Sequence, residues 1–281
     1  MRLTYKLLIS LQFAVLLLCS QSFTAAGKSE KTKKNRTRSI YFSWGYNEEW
    51  YTRSTVHIKQ DALGNDYEMV RVHAQDHKGW DHNFFHEALS IPQYNYRLGM
   101  YINKKQDLGI EINFDHTKYI ISNNQEVHIT GTLNNQPTTE TINFSQKNGF
   151  YYFLNNGANF LLFNIVKRVQ LYQAFHNSFR LDLTGKAGIG PVIPHVQNSL
   201  FGEANDPHFQ FGGWNTGAET AIRATIMRYA YLEFSQKVDY ARYSDLKSYD
   251  GTAKQNFGCY ELILSLGVTL PTTKHNPLFA H

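Results

Sequence analysis

The sequence predicts an all-β chain: an antiparallel up-and-down transmembrane β-barrel of eight strands with long outer loops. Three observations carry this reading. Hydropathy alternates with period two over segments of about ten residues, the length at which a tilted strand crosses a bilayer. Tyr and Phe number 18 and 19 among 281 residues, and 19 Gly against 7 Pro suit sheet. The connections between segments alternate short and long, as expected for tight turns at one end of a barrel and long loops at the other.

Taken in order, the chain opens with an address. Met1–Lys6 is basic, Leu7–Leu18 is an apolar run too short to span a bilayer as a helix, and Thr24-Ala25-Ala26 is small. That order predicts a signal peptide over 1–26. Leu16-Leu17-Leu18-Cys19 offers a lipoprotein alternative, with Leu18 where a small residue is expected. Residues 27–39 form a basic, apolar-poor linker expected to be disordered. Of the formal net charge of +5, Arg2 and Lys6 supply +2 and six bases against Glu30 in 27–39 supply +5, leaving −2 on residues 40–281. The body therefore has no basic excess for nucleic acid. Cys occurs only at 19 and 259, which excludes a disulfide scaffold and a Cys-rich zinc site.

Strands are expected near 40–48, 93–102, 107–120, 160–173, 178–191, 214–226, 229–243 and 257–270. In 260–270, Tyr260, Leu262, Leu264, Leu266, Val268 and Leu270 oppose Glu261, Ser265, Gly267 and Thr269. In 230–240, Leu232, Phe234 and Val238 oppose Glu233, Lys237 and Asp239. Tight turns fall at Asn103–Gln106, Ala174–Asn177 and Met227–Arg228, and long loops at roughly 49–92, 121–158, 192–213 and 244–256. An even strand number puts both ends on the short-turn side. Arg53–His77 then becomes a hairpin in the first outer loop, turning at Leu63-Gly64-Asn65-Asp66. Ten strands, with this hairpin in the wall, is the alternative; residues 271–281 form a tail. A soluble lipocalin-like barrel is the rival fold and predicts apolar residues inward.

Eight strands leave an interior just filled by side chains. The expected inward set is Arg97, Glu111, Arg168, Arg180, Asp182, Lys186, Glu219, Arg223, Glu233, Lys237, Asp239 and Glu261. Such a lumen should hold an ion-pair network, because an unpaired buried charge is costly.

Residues 40–270 resemble the small eight-stranded outer-membrane β-barrels of Gram-negative bacteria. The likeness rests on the alternating strands and on aromatic ends such as Tyr41-Phe42-Ser43-Trp44 and Tyr229-Ala230-Tyr231. It implies insertion in the outer membrane, contact with membrane lipid and lipopolysaccharide, and no specific chemistry. The chain departs from the pattern in that Pro271–His281 follows the last strand. A structural or surface-binding role, with no cofactor and no catalytic residues, is the expectation; the surface ligand is not legible. A narrow hydrophilic conduit is one alternative. A lipid A-modifying enzyme is another, for which His176-Asn177-Ser178 supplies a His-x-Ser pair. In the first outer loop, His77, His82 and His86 are candidate metal ligands, close to His73, Asp76 and Asp81. In the third, His195, Asn198, Glu203, Asp206 and His208 lie on a path stiffened by Pro191, Pro194 and Pro207.

Overall fold

The computed structural model describes residues 38–77, 93–154, 157–174 and 178–272. The expected signal peptide, all of the expected linker but Arg38 and Ser39, and the tail beyond residue 272 lie outside the described residues. Eight strands form the ring: β1 Ser39–Tyr51, β2 Tyr94–Tyr101, β3 Leu108–His116, β4 Phe160–Gln173, β5 Phe179–Val192, β6 Gly213–Ile226, β7 Ala230–Ser248 and β8 Gly251–Pro271. Each pairs antiparallel with the next, and β1 pairs with β8 from Ser39↔Pro271 to Tyr51↔Cys259, so the sheet closes on itself. This is the architecture the resemblance implied, and the ring has eight strands rather than ten.

The exterior of the ring is apolar. Phe42, Leu98, Ile112, Ile165, Ile189, Ile222, Phe234 and Leu266, one from each strand, are 44–63% exposed. Arg180 and Glu233 are buried while Leu232 and Leu264 face outward, the reverse of a soluble barrel. A closed sheet with this belt is a membrane-spanning barrel, because closure leaves no backbone edge in hydrocarbon. Tyr172, Phe179 and Tyr229 ring the short-turn end; Tyr46, Tyr94, Tyr96, Trp214 and Tyr240 ring the other. Tyr41 and Tyr231 depart from the expected aromatic ends: both point into the lumen and are buried.

Above the belt the ring opens into a folded head. The hairpin Ser54–Gln60/Asn65–Val72 continues the sheet from the outer half of β8, through Thr252↔Lys59 to Gln255↔Val56. Its turn lies where expected, with Gly64 at φ 66° in the left-handed region that favours glycine. A second hairpin, Gln125–Leu133/Gln136–Phe144, extends this wing by two more strands. A smaller sheet of Ala74–Gln75, Tyr119–Ile121, Tyr151–Leu154, His195–Leu200 and Glu203–Ala204, with His208–Phe209 also paired to His195–Leu200, lies against it. Between them is one apolar core that includes Val56, Ile58, Met69, Ile129, Leu154 and Val196, and it runs down to Phe257 and Tyr243 in the barrel mouth.

Three features differ from the sequence reading. Residues 107–120 are not one strand, because β3 ends at His116 and Tyr119–Ile121 joins the small sheet. The expected loop 121–158 contains the second hairpin. The expected loop 244–256 is the outer halves of β7 and β8, joined by a turn at Tyr249-Asp250. The physical reason is an inversion of polarity without a break in the strand. On β8 the inward positions are Glu261, Ser265 and Thr269 within the belt, but Ala253, Phe257 and Cys259 above it; on the opposite face Leu262–Leu270 give way to Lys254 and Asn256. Apolar residues thus shift phase by one at Tyr260, and hydropathy alternation breaks where the strand does not.

This boundary is measurable. Leu264→Arg, facing mid-belt, is expected to destabilise the barrel by about 2–4 kcal/mol. Lys254→Arg, an arginine on the same face above the rim where a base already stands, is expected to change stability by less than about 0.5 kcal/mol. Denaturant unfolding in lipid vesicles reads both.

Candidate functional site

The lumen is built from the polar phase of the eight strands, since alternate residues of a barrel strand point inward. The structure places all twelve of the sequence-derived residues inside, each 5% exposed or less. Register then organises them. Across β5, β6, β7, β8 and β1, the directly opposed residues are Lys186, Glu219, Lys237, Glu261 and Glu49. A second row reads Asp182, Arg223 and Glu233 across β5, β6 and β7. Sign alternates along each row until Glu261 meets Glu49, so within these two rows all directly opposed pairs but that one are of opposite charge.

The side chains close these rows into three clusters. Toward the short turns, Arg180 Nε lies 2.8 Å from Asp182 Oδ2, with Arg168 Nη1 at 3.7 Å from the same oxygen. In the middle, Lys186 Nζ reaches three carboxylates: Glu233 at 2.9 Å, Glu219 at 3.1 Å and Glu111 at 3.3 Å. Arg97 Nη2 meets Glu219 at 2.9 Å, and Arg223 Nε meets Glu233 at 2.6 Å. Nearer the mouth, Lys237 Nζ lies 2.5 Å from Asp115, 3.0 Å from Asp239 and 3.3 Å from Glu261.

Tyrosines fill what the charges leave. The Arg223 guanidinium lies between the rings of Tyr231 at 4.0 Å and Tyr41 at 4.7 Å. The Tyr41 hydroxyl donates to Glu111 Oε2 at 2.8 Å. Two glycines make room for these rings: a Cβ on Gly99 would fall 2.1 Å from Tyr41 Cζ, and one on Gly267 would fall 2.3 Å from Tyr231 Cζ. At the mouth Tyr119 stacks on Phe257 at 4.5 Å, and Tyr51 and Tyr243 pack against the same Phe257 ring at 5.3 and 5.4 Å. A salt-bridged interior is thus overlaid by an aromatic plug, which is itself the floor of the head core.

Sequence reasoning left two lumen carboxylates out of the inward set. Asp115 continues the polar phase Gly109, Glu111, Asn113 of β3, so its signal was in the alternation. Glu49 lies just past the expected end of β1. It accepts a hydrogen bond from the Tyr51 hydroxyl at 2.6 Å and others from the Asn47 and Gln93 amides, neutral donors in place of a cation.

The metal and His-x-Ser candidates lie largely outside the described residues. His82 and His86 lie outside the described residues; His73 Nδ1 is 2.9 Å from Ser122 Oγ, and Asp76 accepts from the Glu49 backbone N–H at 3.0 Å. Among the described residues no group of three His, Cys, Asp or Glu is arranged to hold a metal ion. His176 and Asn177 also lie outside them, and Ser178 is at the short-turn end, where its carbonyl accepts from Met227 N–H. In the third outer loop Asn198 is buried, donating to the Lys247 carbonyl at 3.0 Å, and the His195 ring packs 4.8 Å from Phe209. The loop is part of the head's wall. Burial pushes the Tyr67, Tyr119 and Tyr152 phenols of the head above their ordinary range, so the core stays neutral.

No family model matches the chain, and no curated protein matches it. Solved structures overlap with it at low identity. Neisserial surface protein A is 8% identical, with 82% of this chain and 96% of that chain covered and a TM-score of 0.33. Ail, the attachment invasion locus protein of Yersinia pestis, is 12% identical, with 84% and 100% covered and a TM-score of 0.32. The outer membrane protease OmpT of Escherichia coli is 8% identical, with 87% and 99% covered and a TM-score of 0.37. At scores this low the overlaps add no weight to the fold, which stands on the strand pairing.

Lys186 is shared by three carboxylates of the middle cluster. Lys186→Met is expected to leave Glu111, Glu219 and Glu233 without their common partner and to cost about 3–5 kcal/mol. The unfolding midpoint in guanidinium, measured in vesicles, checks this; an unchanged midpoint would mean that water already reaches the cluster.

Proposed function

We propose that this chain is an integral protein of a Gram-negative outer membrane, that its barrel is an anchor, and that the working surface is the head held outside the cell. The observation that carries this reading is the continuity of the interior. Paired charges fill the lumen, the Phe257–Tyr119 stack covers them, and the head core rests on that stack without a break in packing. A chain organised this way transmits rigidity from membrane to head. A conduit has the reverse requirement, a continuous wet path, and eight strands leave little room for one.

The head offers a suitable binding face. Its wing ends on the strand Gln136–Phe144, whose Thr139, Glu140 and Thr141 are exposed, and Pro137 and Glu140 guard this free edge against indiscriminate strand pairing. The role is structural or surface-binding, with lipopolysaccharide as the immediate surroundings. Catalysis is no part of the proposal: the His-x-Ser pair belongs to the short-turn end, which in this orientation faces away from the outer leaflet.

Three measurements test it. In intact cells Thr139→Cys is expected to react with a membrane-impermeant maleimide, whereas Lys104→Cys in the first short turn reacts only after permeabilisation. The opposite pattern overturns the orientation. In planar bilayers the wild-type protein is expected to leave conductance at baseline, and discrete channel events would favour the conduit. Expression is expected to leave the mass of lipid A unchanged; a shift abolished by Ser178→Ala would favour the enzyme.

A further inference from the structure

On the outside of the molecule, where the wing leaves the barrel, a groove of about 440 Å³ is lined by His57 and Glu68 of the wing, Tyr240 and Arg242 of β7, and Lys254 and Asn256 of β8, among others. Register fixes its height. The outward phase of β7 climbs through Leu232, Phe234, Val238 and Tyr240, and the next outward residue is Arg242. Arg242 is directly opposed by Trp214 on β6 and by Asn256 on β8, and Lys254 is directly opposed by His57. Trp214 and Tyr240 pack together at 5.8 Å as part of the outer aromatic ring. Two residues of strand span about 7 Å, less when the strand is tilted. The headgroup layer above the hydrocarbon is itself about 5–7 Å deep. Arg242 therefore stands in the layer where lipid phosphates lie, and Lys254, two residues further out than Asn256, the partner of Arg242, stands at the outer edge of that layer.

Both bases are exposed, and neither side chain has a hydrogen bond or ion pair among the described residues. That separates them from the cations of the lumen. Their neighbours are already committed: Asn256 Nδ2 donates to the Tyr240 hydroxyl at 2.8 Å, and His57 Nε2 lies 2.6 Å from Asp66 Oδ1. Glu68 opposes His57 one strand further from the bases and weakens the site's positive charge without cancelling it.

We propose that this groove seats the phosphomonoester of an outer-leaflet glycolipid. The Arg242 fork and the Lys254 ammonium take the phosphate, and the acyl chains run down the apolar face of β7 and β8 past Val238 and Leu262. The inference rests on the outward orientation proposed above, and it commits to phosphate carried by a lipid rather than phosphate in solution.

The experiment uses the full chain in micelles, mixed with equal amounts of bisphosphorylated lipid A and its dephosphorylated counterpart, with retained lipid read by native mass spectrometry. The wild type is expected to prefer the phosphorylated lipid by about tenfold or more, the scale of a charge-assisted hydrogen bond. Arg242→Gln with Lys254→Gln is expected to abolish the preference, and Glu68→Gln to raise it, so that the two variants move in opposite directions. Lys104→Gln with Lys105→Gln, at the other end of the barrel, is expected to leave it unchanged. Equal retention by wild type and the Arg242/Lys254 variant overturns the site. Loss of preference in the Lys104/Lys105 variant also overturns it, by showing a general charge effect. Displacement of the lipid by an equal concentration of inorganic phosphate overturns the lipid as the source. Labelling at Thr139→Cys is scored in parallel, so a failed orientation is told apart from a failed groove.

Discussion

Hydrocarbon offers no hydrogen-bond partner to a peptide group, and this constraint governs the rest of the molecule. A sheet in that solvent must close, and here closure is the pairing of β1 with β8 over Ser39–Tyr51. Once the ring is shut, the pleat does the sorting. One face of every strand meets lipid and must be apolar, so the other face collects whatever polar residues the strands contain. The charged interior is thus a consequence of closure, and the burial of Arg97, Lys186 and Arg223 follows from it.

Burying so many ions carries a penalty of several kcal/mol each unless every one finds partners. The chain meets this by register: opposite signs face each other across adjacent strands, and Lys186 and Lys237 each serve three carboxylates. Where cations run out, near the mouth, neutral donors from Tyr51, Asn47 and Gln93 take over at Glu49. The tyrosines have a double use. Their rings fill space beside guanidinium groups, and the Tyr41 and Tyr51 hydroxyls donate to carboxylates.

The head obeys the opposite rule with the same strands. Beyond Tyr240 and Tyr260 the strands leave hydrocarbon, so apolar residues turn inward and polar ones outward along β7 and β8, whose pairing is shifted only between Tyr243 and Leu246. One pair of strands therefore carries two cores of opposite polarity, stacked end to end and separated by the layer of Phe257, Tyr119, Tyr51 and Tyr243. A head built on strands that continue into the wall moves with the barrel. The same continuity brings wing residues such as His57 down to the bilayer surface, where a loop-borne residue would have no fixed height.

The period-two alternation between residues 40 and 270, with the alternation of short and long connections, was enough to give the ring, its eight strands and the inward set from Arg97 to Glu261, because these depend on local pattern, on strand parity and on the fixed pleat. The outward hairpin was legible from its turn residues and from strand parity. Partnership was not legible: which carboxylate meets Lys186, that Glu49 opposes Glu261, and that Tyr41 and Tyr231 enclose Arg223 are all set by how far neighbouring strands slide, and no local pattern encodes that offset. Nor was the head, since the apolar residues in the outer halves of β7 and β8 occupy the phase that lower down carries the lumen charges. What decides the meaning of an apolar residue on these strands is its height relative to the membrane, and that quantity exists only once the chain has folded.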